Sequence, residues 1–458
     1  MNFYKDILNK LKSNIFYILI AIYFIQTIVF TYERMLNTDC SLQLFNIINS
    51  KHFFFQENRF GVWLSQIPLL MAVYLKIPLK FLIYIYSLSF PLFYLLIILI
   101  NDKIFKSKEA ALATILSLIF GVAFTFFHSI TETHQLLALS CLLYGLIQAK
   151  EKYIGYRFYL TFFLLVVWSM FIHPNAIFTV FFVVGINYLQ GKINRFDTIS
   201  ALLISFLFII IKLYLTSKNS YDARQYDTLL NFKQNLPHFF SLYAFRYLIT
   251  KYATTYLAGF LIILLVWLRY KGLKELLFTS FCFTGFTLLT ILTFAAGDCD
   301  AIMEKSYMPG FFMFIILFSQ LYYQKNVKYL FIVLILGLFS FYQISQASKP
   351  YTKRLNLLSE IVKKNPDKPK LIASFSDFDE NISRFNNWAT SMDVLILTTC
   401  KYSSSKTILI VDDKQNYAKD TIDSEVFLYL PWNPYGIDIL NKDYFKLPDV
   451  QYRLYQGK

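Results

Sequence analysis

The residues best suited to chemistry in this sequence are carboxylates and imidazoles in the connections between long apolar segments. Asp39 follows the first apolar segment, and Glu132 lies between His128 and His134 in a later connection. His173 precedes a proline between two further apolar segments. A carboxylate beside other ionisable groups can act as a general base, and oxygen and imidazole donors together can bind a divalent cation. The residue types are compatible with either chemistry.

Basic residues also occur in the connections between the apolar segments, and their side chains can bind a phosphate. Arg59 follows Asn58 in the first connection, and Lys305 lies in an acidic run before a late apolar segment. The other candidates of that run are Asp298, Asp300, Glu304 and Tyr307. Guanidinium and ammonium groups bind phosphate or pyrophosphate, and Arg34 and Arg246 are further candidates for this role. A base that faces a bound phosphate leaving group indicates transfer from a phosphate-linked donor.

The composition requires a solvent other than water for much of the chain. The sequence has 458 residues, of which 56% are hydrophobic and 16% charged, with a mean hydropathy of +0.47. Soluble domains are roughly 45–50% apolar and about 25% charged. Eleven apolar blocks have the length that crosses a hydrocarbon core of about 30 Å. These predicted spans are 14–32, 80–100, 109–127, 132–149, 156–172, 174–190, 197–216, 252–269, 273–294, 308–324 and 327–346.

The distribution of basic residues predicts the orientation of these spans. With the N-terminus inside, Lys and Arg residues crowd the inner connections, and the short outer connections contain only Lys305. Cytoplasmic loops carry such an excess of positive charge. Residues 60–77 are too short and too polar for a further span, so we expect an interfacial helix there. All five histidines then fall on the outer side, as do the longer segments 33–79 and 217–251.

The residues after the last span form a distinct tail, rich in Lys, Asp, Asn and Ser. The pattern predicts strands at 372–375, 394–399, 407–411 and 426–430, and a helix at 351–364. The predicted fold class is therefore an all-α polytopic membrane protein with about 11 transmembrane helices and a small C-terminal α/β extracytoplasmic domain. The predicted boundaries are 1–346 for the membrane domain and 347–458 for the soluble domain.

Together these features resemble the GT-C superfamily of integral membrane glycosyltransferases, especially the bacterial lipopolysaccharide-core and mannosyl transferases. The points of resemblance are Asp39 in a long first outer loop, interfacial helices in that loop, Asn58-Arg59, His173-Pro174, Tyr307-x-Pro309 and a soluble outer tail. The resemblance implies a GT-C-like fold in the bacterial cytoplasmic membrane and a polyprenyl-phosphate or polyprenyl-diphosphate sugar as donor. It also implies an outer-loop carboxylate as base, inversion at the sugar and, in some members, a divalent metal.

The resemblance implies that Asp39 or Glu132 is the catalytic base. The acidic pair common in the family is replaced here by Asp39-Cys40, which keeps Glu33 as a third option. The residues expected to bind substrate are Arg59, His128, His134, His173, Asp298, Glu304, Lys305 and Tyr307. We expect a polyprenyl-phosphate-linked sugar and membrane lipids as partners, with a glycan, lipid or protein as acceptor. Nucleic acid is not expected, because the basic residues lie between apolar blocks. The cofactor is unknown, with a divalent metal as one option.

Structural roles and other functions stay open beside this interpretation. Asp39 is placed to cap a helix over 41–50, and an oxidising compartment would allow a disulfide between Cys40 and Cys299. A flippase or transporter of lipid-linked sugars is disfavoured, because its ionisable residues would lie inside spans, where only Lys212 comes close. The remaining alternative is a non-catalytic membrane subunit of a surface-assembly machine, with the tail as its docking domain.

Overall fold

The computed structural model is mostly helical, with a small sheet near the C-terminus. It describes residues 2–56, 58–152, 155–215, 228, 232–252, 272–294, 300–324, 328–378, 389–402, 404–411, 426–429 and 434–455. Within this part of the chain, six helices are long and apolar enough to cross a membrane. They are Asp6–Val29, Leu79–Ile104, Arg195–Leu215, Leu273–Thr293, Asp300–Tyr323 and Tyr329–Lys364.

Long and short helices alternate along the chain. In order, the described helices are α1 (Asn2–Val29), α2 (Thr31–Met35), α3 (Asp39–Ser50), α4 (Trp63–Tyr74), α5 (Leu79–Leu99), α6 (Lys108–Ile119), α7 (Glu132–Gln148), α8 (Tyr156–Ile172), α9 (Ala176–Leu189), α10 (Arg195–Leu215), α11 (Phe232–Asn235), α12 (Tyr243–Thr250), α13 (Leu273–Thr293), α14 (Asp300–Gln324), α15 (Lys328–Lys364) and α16 (Thr390–Tyr402). A π-helical turn extends α5, and short 3-10 turns precede α4, α7 and α12.

Apolar blocks located most of these helices. The predicted spans 80–100, 156–172 and 273–294 agree with α5, α8 and α13 to within one residue at each end. Helix α6 is shorter than predicted and ends at Ile119, because the chain turns at Gly121, which has a φ of 74°. The block predicted at 252–269 lies, after its first residue, outside the described residues.

Two late helices are longer than the hydropathy pattern predicts. Helix α14 begins at Asp300 rather than at 308, so Glu304, Lys305 and Tyr307 lie on its first turns instead of in a loop. Helix α15 joins the predicted span at 327–346 and the predicted helix at 351–364 into one helix. Hydropathy marks only the apolar part of a helix, and polar turns that continue beyond it carry no such signal.

The C-terminal domain contains a parallel sheet and a separate antiparallel pair. The strands are β1 (Lys370–Ser374), β2 (Thr407–Val411), β3 (Val426–Tyr429), β4 (Pro434–Gly436) and β5 (Arg453–Leu454). Strand β1 lies between β2 and β5, parallel to both, and β3 pairs with β4.

The strand predicted at 394–399 is wrong. These residues lie in α16, which is buried from Thr390 to Thr398 and packs against β2, α15 and α3. A short run of apolar residues without polar interruption has no periodicity, so it does not distinguish a buried helix from a buried strand.

The segment that follows α1 lies between the long apolar helices and the C-terminal domain. Helix α3 contacts α2, α4 and α16, and every residue from Cys40 to Phe45 is buried. One hydrophobic core joins helices from both ends of the chain, from Phe16 in α1 to Leu395 in α16. The C-terminal domain is therefore packed onto the rest of the chain through α3.

Helix α7 approaches its neighbours closely at Gly145. A Cβ atom added there would lie 2.1 Å from Asn101 Oδ1 and 3.1 Å from Ala110 Cβ. Asn101 and Ala110 are themselves fully buried, so they have little space into which to move. The absence of a side chain at Gly145 allows α7 to pack against the end of α5 and the start of α6.

We expect Gly145→Ala to lower the free energy of unfolding by about 2 kcal/mol, because the added methyl group overpacks this contact. The matched control is Gly285→Ala in α13, where an added Cβ meets nothing within 4 Å. That control is expected to gain about 0.5–1 kcal/mol from improved helix propensity. Thermal unfolding in detergent, followed by circular dichroism, measures both variants. Equal midpoints would contradict the close packing.

Candidate functional site

Asp39 is the first residue of α3 and differs from the rest of the helix in its exposure. Its side chain is exposed to solvent, whereas the next six residues are buried. Among the described residues, no hydrogen bond or ion pair reaches its carboxylate. The helix begins at Asp39 itself, and the N-cap position belongs to Thr38, so Asp39 does not cap a later start as the sequence suggested. A negative charge in the first turn is favoured by the helix dipole.

Although Asp39 is exposed, it is surrounded by protein. Desolvation raises the pKa of its carboxyl, the charge of Lys305 opposes this shift, Glu132 adds to it and Arg59 opposes it. Asp39 therefore lies within electrostatic reach of Lys305, Glu132 and Arg59.

Glu132, at the start of α7, binds both of these cations. Arg59 Nη1 lies 3.0 Å from Glu132 Oε1, and Lys305 Nζ lies 3.5 Å from Glu132 Oε2. The side chains of Arg59 and Glu132 are 8% and 10% exposed, and that of Lys305 is 27% exposed. Arg59 and Lys305, which the sequence analysis proposed as phosphate ligands, therefore form ion pairs with Glu132. Lys305 is the more accessible of the two and has the longer contact.

The position of Arg59 follows from the packing of its turn against α8. Trp168 Nε1 donates a hydrogen bond to the carbonyl of Gly61 at 2.7 Å. A Cβ at Gly61 would lie 2.4 Å from Ile172 Cγ1, so the turn approaches the end of α8 as only a glycine allows. His173 directly follows Ile172, and this contact brings its ring within the electrostatic reach of Arg59.

Glu304 joins α14 to the connection before α7. Its carboxylate accepts hydrogen bonds from the backbone N–H groups of Ala123, Phe124 and Thr125, at 2.7, 3.0 and 2.9 Å, and from the Thr125 hydroxyl. Successive backbone N–H groups form a concave anion site, and Glu304, which is 1% exposed, fills it. The next residue, Lys305, is thereby held beside Glu132 rather than free in a loop.

His128 and His173 are neutral imidazoles in the same region. Burial and the nearby charge of Lys305 lower the pKa of His128 to about 4. Burial, followed by the charges of Arg59 and Lys305, lowers the pKa of His173 well below its usual value. At neutral pH neither ring carries a proton that would add to the positive charge of this region.

Hydrogen bonds assign the tautomers of these two rings. Asn37 Nδ2 lies 3.3 Å from His128 Nε2, so this ring nitrogen accepts and the proton is on Nδ1. The backbone N–H of Asn175 donates to His173 Nδ1 at 3.1 Å, which leaves the proton on Nε2. Each ring therefore offers one N–H donor.

The structure brings six of the predicted site residues together and separates others from them. We call the group the Asp39 cluster; its members are Asp39, Arg59, His128, Glu132, His173 and Lys305. His134 borders this cluster: its ring is 1% exposed, and the charges of Arg34 and then Lys305 act on it. Tyr307 donates to the carbonyl of Ala244 at 2.9 Å. Glu304 is engaged with backbone, as described above.

The remaining candidates lie elsewhere. Glu33, the third candidate base, accepts a hydrogen bond from the Thr352 hydroxyl at 2.9 Å. Asp298 and Cys299 lie outside the described residues. Cys40 is a free, buried cysteine, so the disulfide expected between Cys40 and Cys299 is wrong. Within the described part of the chain, no group of three or more His, Cys, Asp and Glu side chains is placed to hold a metal ion.

Two residues just before Asp39 attach this part of the chain to the connection before α7. Arg34 is fully buried, and its Nη1 donates to the carbonyl of Phe126 at 2.7 Å. Asn37 donates to the carbonyl of Phe127 at 3.3 Å. Both fasten the chain before Asp39 to the connection that leads into α7. The sequence offered Arg34 as a phosphate ligand, but in the structure its guanidinium is buried on a backbone carbonyl. Asn37 has no sequence signal beyond its closeness to Asp39, since its partner is a backbone carbonyl far along the chain.

Comparison with known proteins adds no family to these observations. No family model matches the sequence, and no curated protein or solved structure is significantly similar to it.

We expect Asp39→Asn to raise the midpoint of thermal unfolding at pH 7. Because the pKa of Asp39 is raised in the folded protein, the ionised carboxylate destabilises the fold above that pKa. This cost disappears as the pH falls below the pKa of the unfolded chain, about 4, so the gain should shrink from pH 7 towards pH 4. Asp449→Asn, at an exposed position in the tail, is the control. A lower midpoint for Asp39→Asn than for wild type at pH 7 would contradict the raised pKa.

We expect Glu132→Gln to lower the free energy of unfolding by about 3 kcal/mol, because it removes the carboxylate that the buried Arg59 guanidinium and Lys305 share. Combining it with Arg59→Met should recover part of this loss, since the only member of the group that then lacks its carboxylate is the partly exposed Lys305. Thermal unfolding of both single variants and the double variant measures the coupling. Strictly additive effects would show that the two side chains do not act as a pair.

Proposed function

We propose that the protein is a glycosyltransferase that moves a sugar from a polyprenyl-phosphate or polyprenyl-diphosphate donor to an acceptor at the outer face of the membrane. The observation that carries this proposal is Asp39, an exposed carboxylate without an ion-pair partner among the described residues, beside Lys305 and Arg59. A free base beside cations suits a reaction in which a hydroxyl loses a proton and a phosphate leaves.

Asp39 is the base in this proposal, and Glu132 is not. Glu132 shares its two oxygens between Arg59 and Lys305 and is nearly buried, so a proton placed on it would break two ion pairs. Asp39 carries a raised pKa and is open to solvent, which suits a group that takes a proton during the reaction.

The transfer step uses the members of the Asp39 cluster as follows. The carboxylate of Asp39 accepts the proton of the acceptor hydroxyl while the hydroxyl oxygen forms a bond to the anomeric carbon. The bond between that carbon and the donor phosphate oxygen breaks, and polyprenyl phosphate or diphosphate leaves with the electron pair. Attack from the face opposite the leaving group inverts the configuration at the sugar.

Lys305 is the cation that stabilises the leaving phosphate. Its contact with Glu132 is 3.5 Å and its side chain is 27% exposed, so it can turn towards a bound phosphate while Arg59 keeps Glu132 compensated. The N–H donor of the neutral His173 ring adds a hydrogen bond without adding a charge. Fixed donors aimed at developing negative charge account for a large share of catalysis in such reactions.

The proposal includes a place in the cell. The chain crosses the bacterial cytoplasmic membrane about eleven times in a GT-C-like arrangement, with the N-terminus in the cytoplasm and the Asp39 cluster and C-terminal domain outside. Six long apolar helices and the shorter apolar helices α8 and α9 support a many-span arrangement. The excess of Lys and Arg in the inner connections supports the orientation.

The test is transfer from a panel of polyprenyl-phosphate-linked radiolabelled hexoses by the full-length protein in liposomes, with release of polyprenyl phosphate as the readout. Asp39→Ala is expected to reduce the rate at least 100-fold, because general-base catalysis contributes about 10²–10⁴-fold. Lys305→Ala is expected to reduce it as well, and Asp449→Asn, far from the cluster in sequence and exposed, is expected to leave it unchanged. Full activity of Asp39→Ala would remove Asp39 from the mechanism. Transport of labelled lipid without covalent product would contradict the enzyme.

A further inference from the structure

The geometry points to a positioning role for the C-terminal domain: Arg354 and Asp393 form a latch that holds the start of α3, and thereby sets the orientation of Asp39. This role rests on the proposed function in so far as Asp39 is the base. Neither residue touches the Asp39 cluster in any described contact, so the latch acts through the backbone of the segment that follows α1.

The latch is a buried ion pair that also binds the segment before Asp39. Arg354 Nη2 lies 2.6 Å from Asp393 Oδ2, and the two side chains are 3% and 0% exposed. Arg354 Nη1 donates to the carbonyl of Leu36 at 3.2 Å. The Ser41 hydroxyl lies beside the Asp393 carboxylate. One guanidinium–carboxylate pair therefore joins α15 and α16 to the chain on both sides of Asp39.

The backbone between these two contacts is strained, which shows that something must hold it. Thr38 has a φ of 39° and a ψ of −102°, and a β-branched residue rarely adopts such a positive φ. Such residues persist only where the surroundings over-determine them, and they cluster at functional sites. The latch contacts Leu36 and Ser41, which bracket Thr38 and Asp39.

The C-terminal domain also grips the far end of α3. Asn441 donates its backbone N–H to Asn49 Oδ1 and its side-chain amide to the carbonyl of Ile48, both at 2.8 Å. The ring of Phe45 packs between Tyr435 and Phe445, with centroids 6.1 and 5.7 Å away. With both ends held, α3 can neither slide nor rotate, and the direction of Asp39 follows from the position of the domain.

The chain contains its own reporter for this arrangement. Cys40, next to Asp39, is fully buried, and burial raises the pKa of its thiol to about 12, so it reacts slowly with maleimides. If the latch holds α3, its removal will expose Cys40 and accelerate labelling. A general loss of stability is separated from this effect by measuring the unfolding midpoint of each variant and labelling well below it.

The experiment labels Cys40 with a maleimide in full-length protein whose other four cysteines are replaced by serine. Asp393→Asn and Arg354→Gln are expected to label at least tenfold faster than the parent. The matched control is Asp197→Asn, which breaks the buried pair of Asp197 with Lys150 near the start of α10, and it should label at the parental rate. Equal rates for the latch variants and this control overturn the proposal.

A milder variant covers the case in which the latch variants fail to fold. Asn441→Ala loosens only the far end of α3 and should also accelerate Cys40 labelling; an unchanged rate in folded Asn441→Ala overturns the proposal as well. In the transfer assay, Asp393→Asn should lower kcat and leave the donor KM unchanged, because Lys305 and Arg59 keep their places. The labelling experiment tests the latch without any assay of transfer, so it remains valid if the protein transfers no sugar. If the protein does transfer sugar but the labelling rate is unchanged in the latch variants, the latch is refuted and the proposed function is not.

Discussion

The arrangement of the Asp39 cluster depends on one carboxylate, Glu132, held between two cations from distant parts of the chain. Arg59 comes from the turn before α4 and Lys305 from the start of α14, so their contacts with Glu132 join three segments at one point. Removing one partner of a buried pair leaves an uncompensated charge and costs several kcal/mol. The same charges lower the pKa of His173 and act on that of Asp39, so the electrostatics of the cluster follow from this contact.

The two carboxylates of the cluster illustrate how environment assigns different roles to similar groups. Glu132 is compensated and nearly buried, whereas Asp39 is exposed and meets its cations only at longer range. Groups whose surroundings push their pKa values apart are the usual source of acid and base assignments at one site. Glu304 is a third case, because backbone N–H groups satisfy it and its effect is to place Lys305.

The sequence predicts the helices well and the contacts between them poorly. Long apolar blocks, such as the one that forms α8, follow from hydropathy alone, and the grouping of several polar connections was expected from the charge pattern. The hydropathy pattern does not predict the start of α14 or the helix at 394–399. Polar helical turns and uniformly apolar runs lack the periodicity that distinguishes a helix from a loop or a strand. The pairing of Glu132 with Arg59 and Lys305 depends on tertiary packing, such as the close approach at Gly61 to the end of α8.

The proposed site lowers the stability of the fold locally, and this explains why the C-terminal domain shares a core with the long apolar helices. Two features raise the free energy of the folded state: the raised pKa of Asp39 and the strained backbone of Thr38. The buried pair around Glu132 is stable only while each charge keeps its partner. Their neighbours must therefore be rigid. A tail connected only by a flexible linker would leave α3 exposed on one side, whereas a tail packed on α3 supplies apolar contacts and the Arg354–Asp393 pair at the position where the strain lies.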